Sequence, residues 1–165
     1  MYQHILLAAA LQGWEEFSPH AVAARDVAVA LAKGSGAKLS VLSVYEYEDL
    51  NVSGLGPEEL GRFRESQRQR IDASMELKLK TYLDGIPTDD LTITPLLKAG
   101  ETRPLILSTA ENVGADLLVI GAHSKRNFLD ALLGGTAAYV IRHAPCAVIM
   151  VQPEPGEKRL TPVTE

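Results

Sequence analysis

Short apolar runs alternate along the chain with longer amphipathic segments. The first run, Ile5 to Ala10, is continuously apolar, which is typical of a strand that is buried on both faces of a parallel sheet. The runs predict five strands, at residues 5–10, 39–44, 91–97, 116–121 and 146–151. Pro95 favours a sheet edge for the third strand, because proline cannot donate a hydrogen bond to a ladder.

Helix start and stop signals lie between these runs. Ser18 and Pro19 supply an N-cap hydroxyl and a proline at the first helical position, and Gly34 and Gly36 end that helix. Two further helices are predicted at 102–113, with Gly114 as the terminating glycine, and at 136–144. The apolar residues that face the core from the first helix are predicted to be Val22, Val27 and Leu31.

The longest predicted helix opens at Pro57, with acidic residues in its first turn where the helix dipole favours them. Its charged run from Arg62 to Arg70 is interpreted as a solvated face. Its apolar stripe has six members: Leu60, Phe63, Ile71, Met75, Leu79 and Tyr82.

The alternation of strands and helices predicts an α/β fold in which helices cover both faces of one parallel sheet. Ligands of such sheets bind beyond the carboxyl ends of the strands, where the strand order reverses. The glycine-containing stretch 121–136 follows the fourth strand and therefore starts at such an end. It is a candidate ligand-binding loop.

Composition narrows the class of protein. The 165 residues carry a net charge of -5, which weighs against general nucleic-acid binding because that needs a basic face. A single cysteine fits a reducing compartment, and no apolar run approaches the roughly 20 residues that span a bilayer. The amino-terminal residues lack a signal-peptide pattern, so we expect a cytoplasmic protein without membrane association.

The chain offers no convincing catalytic or metal-binding set. His4, His20, His123 and His143 form no metal-ligand spacing, and Cys146 is expected to be a small core residue. A flavodoxin-like phospho-receiver would need acids after its strands. The runs Ala8-Ala-Ala and Ile120-Gly-Ala supply none.

Three segments carry a family resemblance: Val119-Ile-Gly-Ala-His-Ser-Lys-Arg, Leu132-Leu-Gly-Gly-Thr and Val140-Ile-Arg-His-Ala-Pro-Cys-Ala-Val. They resemble the C-terminal signature of the universal stress protein family, and the similarity extends over residues 4–151. The resemblance implies one three-layer domain at 1–151, of the Rossmann-like adenine nucleotide α-hydrolase type, with sheet order 3-2-1-4-5. A polar tail is predicted at 152–165.

Nucleotide-binding members of that family carry Gly-x-x-Gly, nine residues, and then Gly followed by Ser or Thr. Gly121 matches the first glycine and Gly134 the last, with the spacing intact. Ser124 replaces the second glycine, and Gly135 stands where a hydroxyl residue is expected. Thr136 supplies a hydroxyl one place later.

Such a loop holds phosphate through backbone N–H groups and the positive end of the following helix. Gly134 and Gly135 permit a close approach of the backbone and left-handed angles. The hydroxyl of Ser124 can donate to a phosphate, Lys125 adds positive charge, and His123 is expected to make contact through its backbone.

The nucleoside side of the implied site departs further from the family pattern. Ala10 stands where the resemblance implies an aspartate, and Val44 matches a position that lines the base. An insertion at 12–17 brings Trp14 and Phe17 near the implied pocket. Two interpretations of Trp14 stay open: stacking on a base, or packing against the sheet end.

Two functions from different classes follow from the resemblance. The first is a non-enzymatic stress-response or regulatory protein with a degenerate loop for ATP or another adenine nucleotide, and with Mg²⁺ only alongside the nucleotide. The alternative is a slow Mg²⁺-dependent ATP hydrolase that uses the same loop. The implied partner is a second copy, paired as a homodimer through strand 146–151; a monomer whose tail covers that strand is the alternative.

Overall fold

The computed structural model describes residues 1–13, 15–49, 52–87, 89–122 and 135–153. Five strands lie within these ranges: β1 (His4–Ala8), β2 (Lys38–Tyr45), β3 (Ile93–Ala99), β4 (Leu117–Gly121) and β5 (Ala147–Val151). They pair in parallel in the order β3-β2-β1-β4-β5. The predicted fold class and strand order are confirmed.

Helices cover both faces of the sheet, as predicted. They are α1 (Pro19–Ser35), α2 (Pro57–Asp84), α3 (Thr102–Val113) and α4 (Thr136–His143). Apolar side chains of α1 and α2 join the core on one face, and those of α3 and α4 join the core on the other. The three layers place the carboxyl ends of β1, β2 and β4 at one edge of the domain.

The ends of α1 follow from local sequence. Ser18 Oγ accepts a hydrogen bond from the Ala21 N–H at 3.1 Å, which satisfies one free donor of the first turn. Gly36 adopts a left-handed φ of 69° and ends the helix, so Gly34 lies inside it. Gly114, with a φ of 66°, ends α3 in the same way, as predicted.

The core face of α1 differs from the prediction. Its buried residues are the alanines at 21, 24, 28 and 32, which follow helical spacing. Val22, Val27 and Leu31 are only partly buried beside them. The prediction is confirmed in part, because Val27 and Leu31 pack against the core. The fully buried positions are alanines, whose small side chains let the helix backbone lie close to the sheet.

Helix α2 is anchored by its second half. Met75, Leu79 and Tyr82 are buried as predicted, whereas Leu60, Phe63 and Ile71 are only partly covered. The Tyr82 hydroxyl donates to the Ala21 carbonyl at 2.6 Å and so ties α2 to α1. The arginines at 62, 64, 68 and 70 are exposed, in agreement with the predicted solvated face.

The β3 edge carries features that protect it from further pairing. The Thr92 carbonyl and the Gly100 N–H both bond to β2, so the odd-numbered residues of β3 direct their backbone outward. Pro95 is one of these, and its missing N–H therefore costs no ladder bond. On the same strand Lys98 is half-buried and donates from Nζ to Thr109 Oγ1 at 2.9 Å. Proline and an inward charge both disfavour edge pairing.

Two further expectations concern membrane association and the division of the chain into a domain and a tail. Among the described residues, no helix has both the length and the apolarity needed to cross a membrane. The division into a domain at 1–151 and a tail at 152–165 stays a prediction, and residues 154–165 lie outside the described ranges.

Two buried serines of β2 permit a matched test of hydrogen bonding in the core. Ser40 Oγ lies 2.8 Å from His4 Nε2, whereas Ser43 Oγ has no hydrogen-bond partner among the described residues. Both side chains are almost fully buried. We expect Ser40→Ala to lower the free energy of unfolding by about 1 kcal/mol, and Ser43→Ala to raise it by a similar amount. Urea unfolding of both variants measures the difference, and an equal loss in both would contradict it.

Candidate functional site

The candidate site lies at the carboxyl ends of β1, β2 and β4. Ala10 is exposed directly after β1, and the Ala9 N–H beside it donates to the Leu42 carbonyl of β2 at 2.8 Å. Val44 is half-buried near the end of β2, and Gly121 is the half-buried last residue of β4. Because β1 and β4 are neighbours here and the chain turns to opposite faces after them, this is where the strand order reverses.

The loop after β4 is described only at its two ends. Gly135 and Thr136 are half-buried at the start of α4. His123, Ser124, Lys125 and Gly134 lie outside the described residues, as does Trp14. The role of these five residues stays a prediction.

The start of α4 differs from the predicted backbone at one glycine. Gly135 is the N-cap, with φ -74° and ψ 167°, which is extended backbone and not left-handed. Any residue can adopt these angles, so the left-handed freedom of glycine is not used at this position. As a glycine, Gly135 offers no side chain of its own to cap the first N–H groups of the helix, and such a helix start is a known type of anion site.

Gly121 is required by packing. A Cβ atom on this residue would lie 3.0 Å from the carbonyl oxygen of His20 and 3.3 Å from its Cβ. The first turn of α1 therefore crosses the end of β4 at a distance that a side chain would obstruct. The sequence motif associates Gly121 with phosphate, but the structure gives this glycine a separate reason for being there.

The segment after β1, which the family resemblance predicts to be an insertion, is anchored at both ends. Leu11 is buried in the core. The Gln12 carboxamide donates to the Glu46 carbonyl at 2.8 Å and accepts from the Glu46 N–H at 2.9 Å. Phe17 packs edge to face against Tyr82, with ring centroids 5.2 Å apart. Phe17 thus joins the core and does not offer its ring to the site.

The segment after β2 is held by a carboxylate on α2. The hydroxyls of Tyr45 and Tyr47 both donate to Asp72 Oδ1, at 2.5 and 2.6 Å. These two hydrogen bonds hold the pKa of the Asp72 carboxyl below its usual value. Arg68 lies 5.1 Å above the ring of Tyr47. The chain is therefore fixed on both sides of Glu46.

A groove of about 360 Å³ opens beside this segment, between α2 and the end of β3. Its walls differ in charge, with Glu46, Glu48 and Glu101 on the loop side and Arg64 and Arg68 on the helix side. Sequence reasoning did not find this groove. The spacing of Tyr45 and Tyr47 could have indicated this groove. Two residues that are two positions apart at a strand end place their side chains on the same face.

The remaining titratable candidates have structural roles. The carboxylate of Asp116 accepts hydrogen bonds from the N–H groups of Gln3 and His4 at 2.8 and 3.1 Å, which lower its pKa. This contact lies at the amino end of the sheet, opposite the candidate site. Burial raises the pKa of the half-buried Cys146 thiol, in agreement with its prediction as a core residue. No group of three metal-ligating side chains occurs within the described part of the chain.

Comparison with known proteins points to one family. The model of the Universal stress protein family matches residues 1–152. A curated relative from Thermus aquaticus is 31% identical over 155 residues. Its name is Universal stress protein in QAH/OAS sulfhydrylase 3′ region. The alignment covers 92% of this chain and all of the relative.

Solved structures agree in fold. A universal stress protein in complex with cAMP is 22% identical with a TM-score of 0.64, and the match covers 93% of this chain and 98% of that one. A universal stress protein family member from Arabidopsis thaliana with AMP bound is 16% identical with a TM-score of 0.56, over 94% of each chain. At these identities the likeness establishes the shared fold.

Proposed function

The chain belongs to the universal stress protein family, and on that premise we propose that it is a non-enzymatic regulatory protein that binds an adenine nucleotide weakly. The proposed site lies at the carboxyl ends of β1, β2 and β4, with Ala10 and Val44 beside the nucleoside. The observation that supports the proposal is the reversal of strand order between β1 and β4, which brings Ala10, Val44 and Gly121 to the same carboxyl end of the sheet.

The ligand class is supported by relatives and by the chemistry of the site. Two proteins of similar fold carry cAMP and AMP in their structures. The start of α4, where Gly135 offers no capping side chain, suits a phosphate, and Gly121, His123, Ser124, Lys125 and Gly134 are proposed to complete that contact. ATP or another adenine nucleotide is the proposed ligand, with Mg²⁺ only as its counter-ion.

The proposed weakness of nucleotide binding follows from the residue that stands after β1. Ala10 offers no hydrogen-bonding side chain where the family resemblance implies an aspartate. A nucleoside hydroxyl or amine at this place would bond to water instead of a carboxylate. Hydrogen bonds to charged groups contribute more to binding than those between neutral groups, so the loss lowers affinity.

The protein is further proposed to act as a homodimer through β5. Within the described residues, β5 reads Ala-Val-Ile-Met-Val and carries neither charge nor proline, whereas the opposite edge strand carries Pro95 and Lys98. An apolar edge of this kind needs a cover. A second β5, related by a two-fold axis, would provide it.

The experiment that tests nucleotide binding starts from the purified full chain. Mass spectrometry of the extracted small molecules identifies any adenine nucleotide that co-purifies, and calorimetry with ATP and Mg²⁺ measures its affinity. The proposal would be refuted if no adenine nucleotide co-purifies and calorimetry gives no binding signal. Accumulation of ADP in the same samples would instead identify a slow ATP hydrolase.

We expect Ala10→Asp to raise the affinity for ATP roughly fivefold to tenfold, because its carboxylate supplies an acceptor for the nucleoside. The matched control is Ala99→Asp, which adds the same charge at the exposed end of β3. The control is expected to leave the affinity unchanged or to weaken it slightly. If Ala10→Asp gives no gain while the melting temperature is preserved, the nucleoside is not recognised at the end of β1.

A further inference from the structure

One side chain connects the end of β1 with the end of β2. The Gln12 carboxamide makes both an N–H donor and a carbonyl acceptor contact with the backbone of Glu46, at 2.8 and 2.9 Å. A carboxamide carries a donor and an acceptor side by side, so it pairs with a backbone residue as a neighbouring strand would. The two residues are 34 positions apart in the chain, and both are exposed.

This bridge stands directly beyond the proposed nucleoside position. The Ala9 N–H bonds to the Leu42 carbonyl, and Gln12 bonds to Glu46 four residues further along. Alternate residues of a parallel strand direct their backbone to the same side. The backbone N–H and C=O groups of Val44 therefore also point toward β1. They lie between the Ala9–Leu42 hydrogen bond and the Gln12–Glu46 bridge.

We propose that Gln12 is a latch that closes the nucleoside end of the proposed site and lowers its affinity for nucleotide. The inference rests on the proposed function and names a regulation of that same site. The amine and ring nitrogen of adenine form a donor–acceptor edge like that of a carboxamide. Gln12 already holds the Glu46 N–H and C=O, so a base must displace it or bind without those groups.

The surroundings of Gln12 make the latch easy to open without unfolding. Leu11, just before it, is buried, and its carbonyl accepts from Lys78 Nζ at 3.5 Å. Phe17, after it, packs on Tyr82, and Ser18 caps α1. Gln12 itself is exposed, so opening breaks two hydrogen bonds and uncovers no core. The measured affinity is then the intrinsic affinity multiplied by the open fraction.

The test compares ATP binding by calorimetry in the unmodified full chain and in Gln12→Ala. We expect Gln12→Ala to bind roughly tenfold more tightly, because two net hydrogen bonds no longer compete with the ligand. Gln12→Glu keeps an acceptor for the Glu46 N–H but sets a carboxylate against the Glu46 carbonyl, so it is expected to bind more tightly as well. Gln69→Ala on the exposed face of α2 is the control and is expected to change nothing.

Hydrogen exchange of the Glu46 amide gives a readout that needs no nucleotide. We expect this amide to exchange about tenfold faster in Gln12→Ala than in the unmodified chain. An unchanged melting temperature in Gln12→Ala shows that only local structure was altered.

The outcomes separate the latch from the function on which it rests. If the unmodified chain binds ATP and Gln12→Ala binds it equally or more weakly, the latch is overturned and the proposed function stands. If neither the unmodified chain nor any Gln12 variant binds ATP or AMP, the proposed function fails and the latch fails with it. Tighter binding by Gln12→Ala together with faster Glu46 exchange supports both.

Discussion

Gly121→Val is expected to lower the free energy of unfolding by about 3 kcal/mol, a large share of the roughly 5–15 kcal/mol that stabilises a typical domain. Even the first added carbon would meet the His20 carbonyl oxygen at 3.0 Å, and the branched side chain adds two more atoms. His20 cannot retreat easily, because the Ser18 cap and Pro19 fix the first turn of α1. At this chain length the expected fall in melting temperature is about 6–12 °C.

The control for this prediction is Gly61→Ala. Gly61 lies inside α2, and a Cβ atom there would meet nothing within 4 Å. Alanine is the better helix former, so we expect this variant to gain about 0.5–1 kcal/mol. Thermal unfolding of both variants, followed by circular dichroism, measures the contrast. A Gly121→Val variant with an unchanged melting temperature would show that the close approach of α1 is not rigid.

The same variant separates two roles of Gly121. If the glycine served only phosphate contact, Gly121→Val would lose ATP affinity and keep its stability. The packing role predicts the loss of stability first, with or without nucleotide. Gly121→Ala, which adds one carbon, is expected to fall between the unmodified chain and Gly121→Val.

The sheet could be predicted from the sequence because its strands are short apolar runs, and the central strands β1, β2 and β4 are buried along most of their length. Short, largely apolar runs placed all five strands within about two residues of their observed ends. Pro95 located an edge strand, since only an outward-facing residue can lack its N–H without losing a ladder bond. These signals are local, so they can be read from short stretches of the sequence.

The core face of α1 could not be predicted in the same way. The valines and leucine at 22, 27 and 31 fit a helical stripe, and so do the alanines at 21, 24, 28 and 32. The choice between the two stripes depends on how closely the helix lies to the sheet. That distance is a tertiary property, and the shorter side chains satisfy it.

The contacts that shape the candidate site also lie beyond local pattern. Gln12 meets Glu46 across 34 residues, and Tyr47 meets Asp72 across 25. The sequence placed Ala10, Val44 and Gly121 at one sheet end, because parallel strands bring their carboxyl ends together. It could not indicate that Gln12 would bond to the Glu46 backbone beside that end, since glutamine in a loop is usually solvated.

The unmodified protein is expected to be a dimer of twice the 17.8 kDa chain mass in light scattering at micromolar concentration. In β5 the Val151 carbonyl accepts from the Ala122 N–H at 2.7 Å, so Val151 directs its backbone toward β4. Met150 and Val148 therefore direct theirs outward, to the free edge. Two copies would pair these outward groups antiparallel across a two-fold axis.

Met150→Pro is expected to convert this dimer into a monomer. Proline at this position removes an outward N–H that pairing requires, while the inward bonds to β4 stay in place. Its fixed φ suits an extended strand, and the preceding residue is extended already. We therefore expect a folded chain of 17.8 kDa by light scattering, with its far-ultraviolet circular dichroism unchanged.

Leu97→Pro on the opposite edge is the matched control. Leu97 is an odd-numbered residue of β3, so its N–H also points outward, and its side chain is half-buried like that of Met150. Proline there removes the same kind of donor from an edge that Pro95 and Lys98 already protect. We expect this variant to remain a dimer. Dissociation of both variants would assign the effect to general destabilisation, and a monomeric unmodified chain would favour a tail that covers β5.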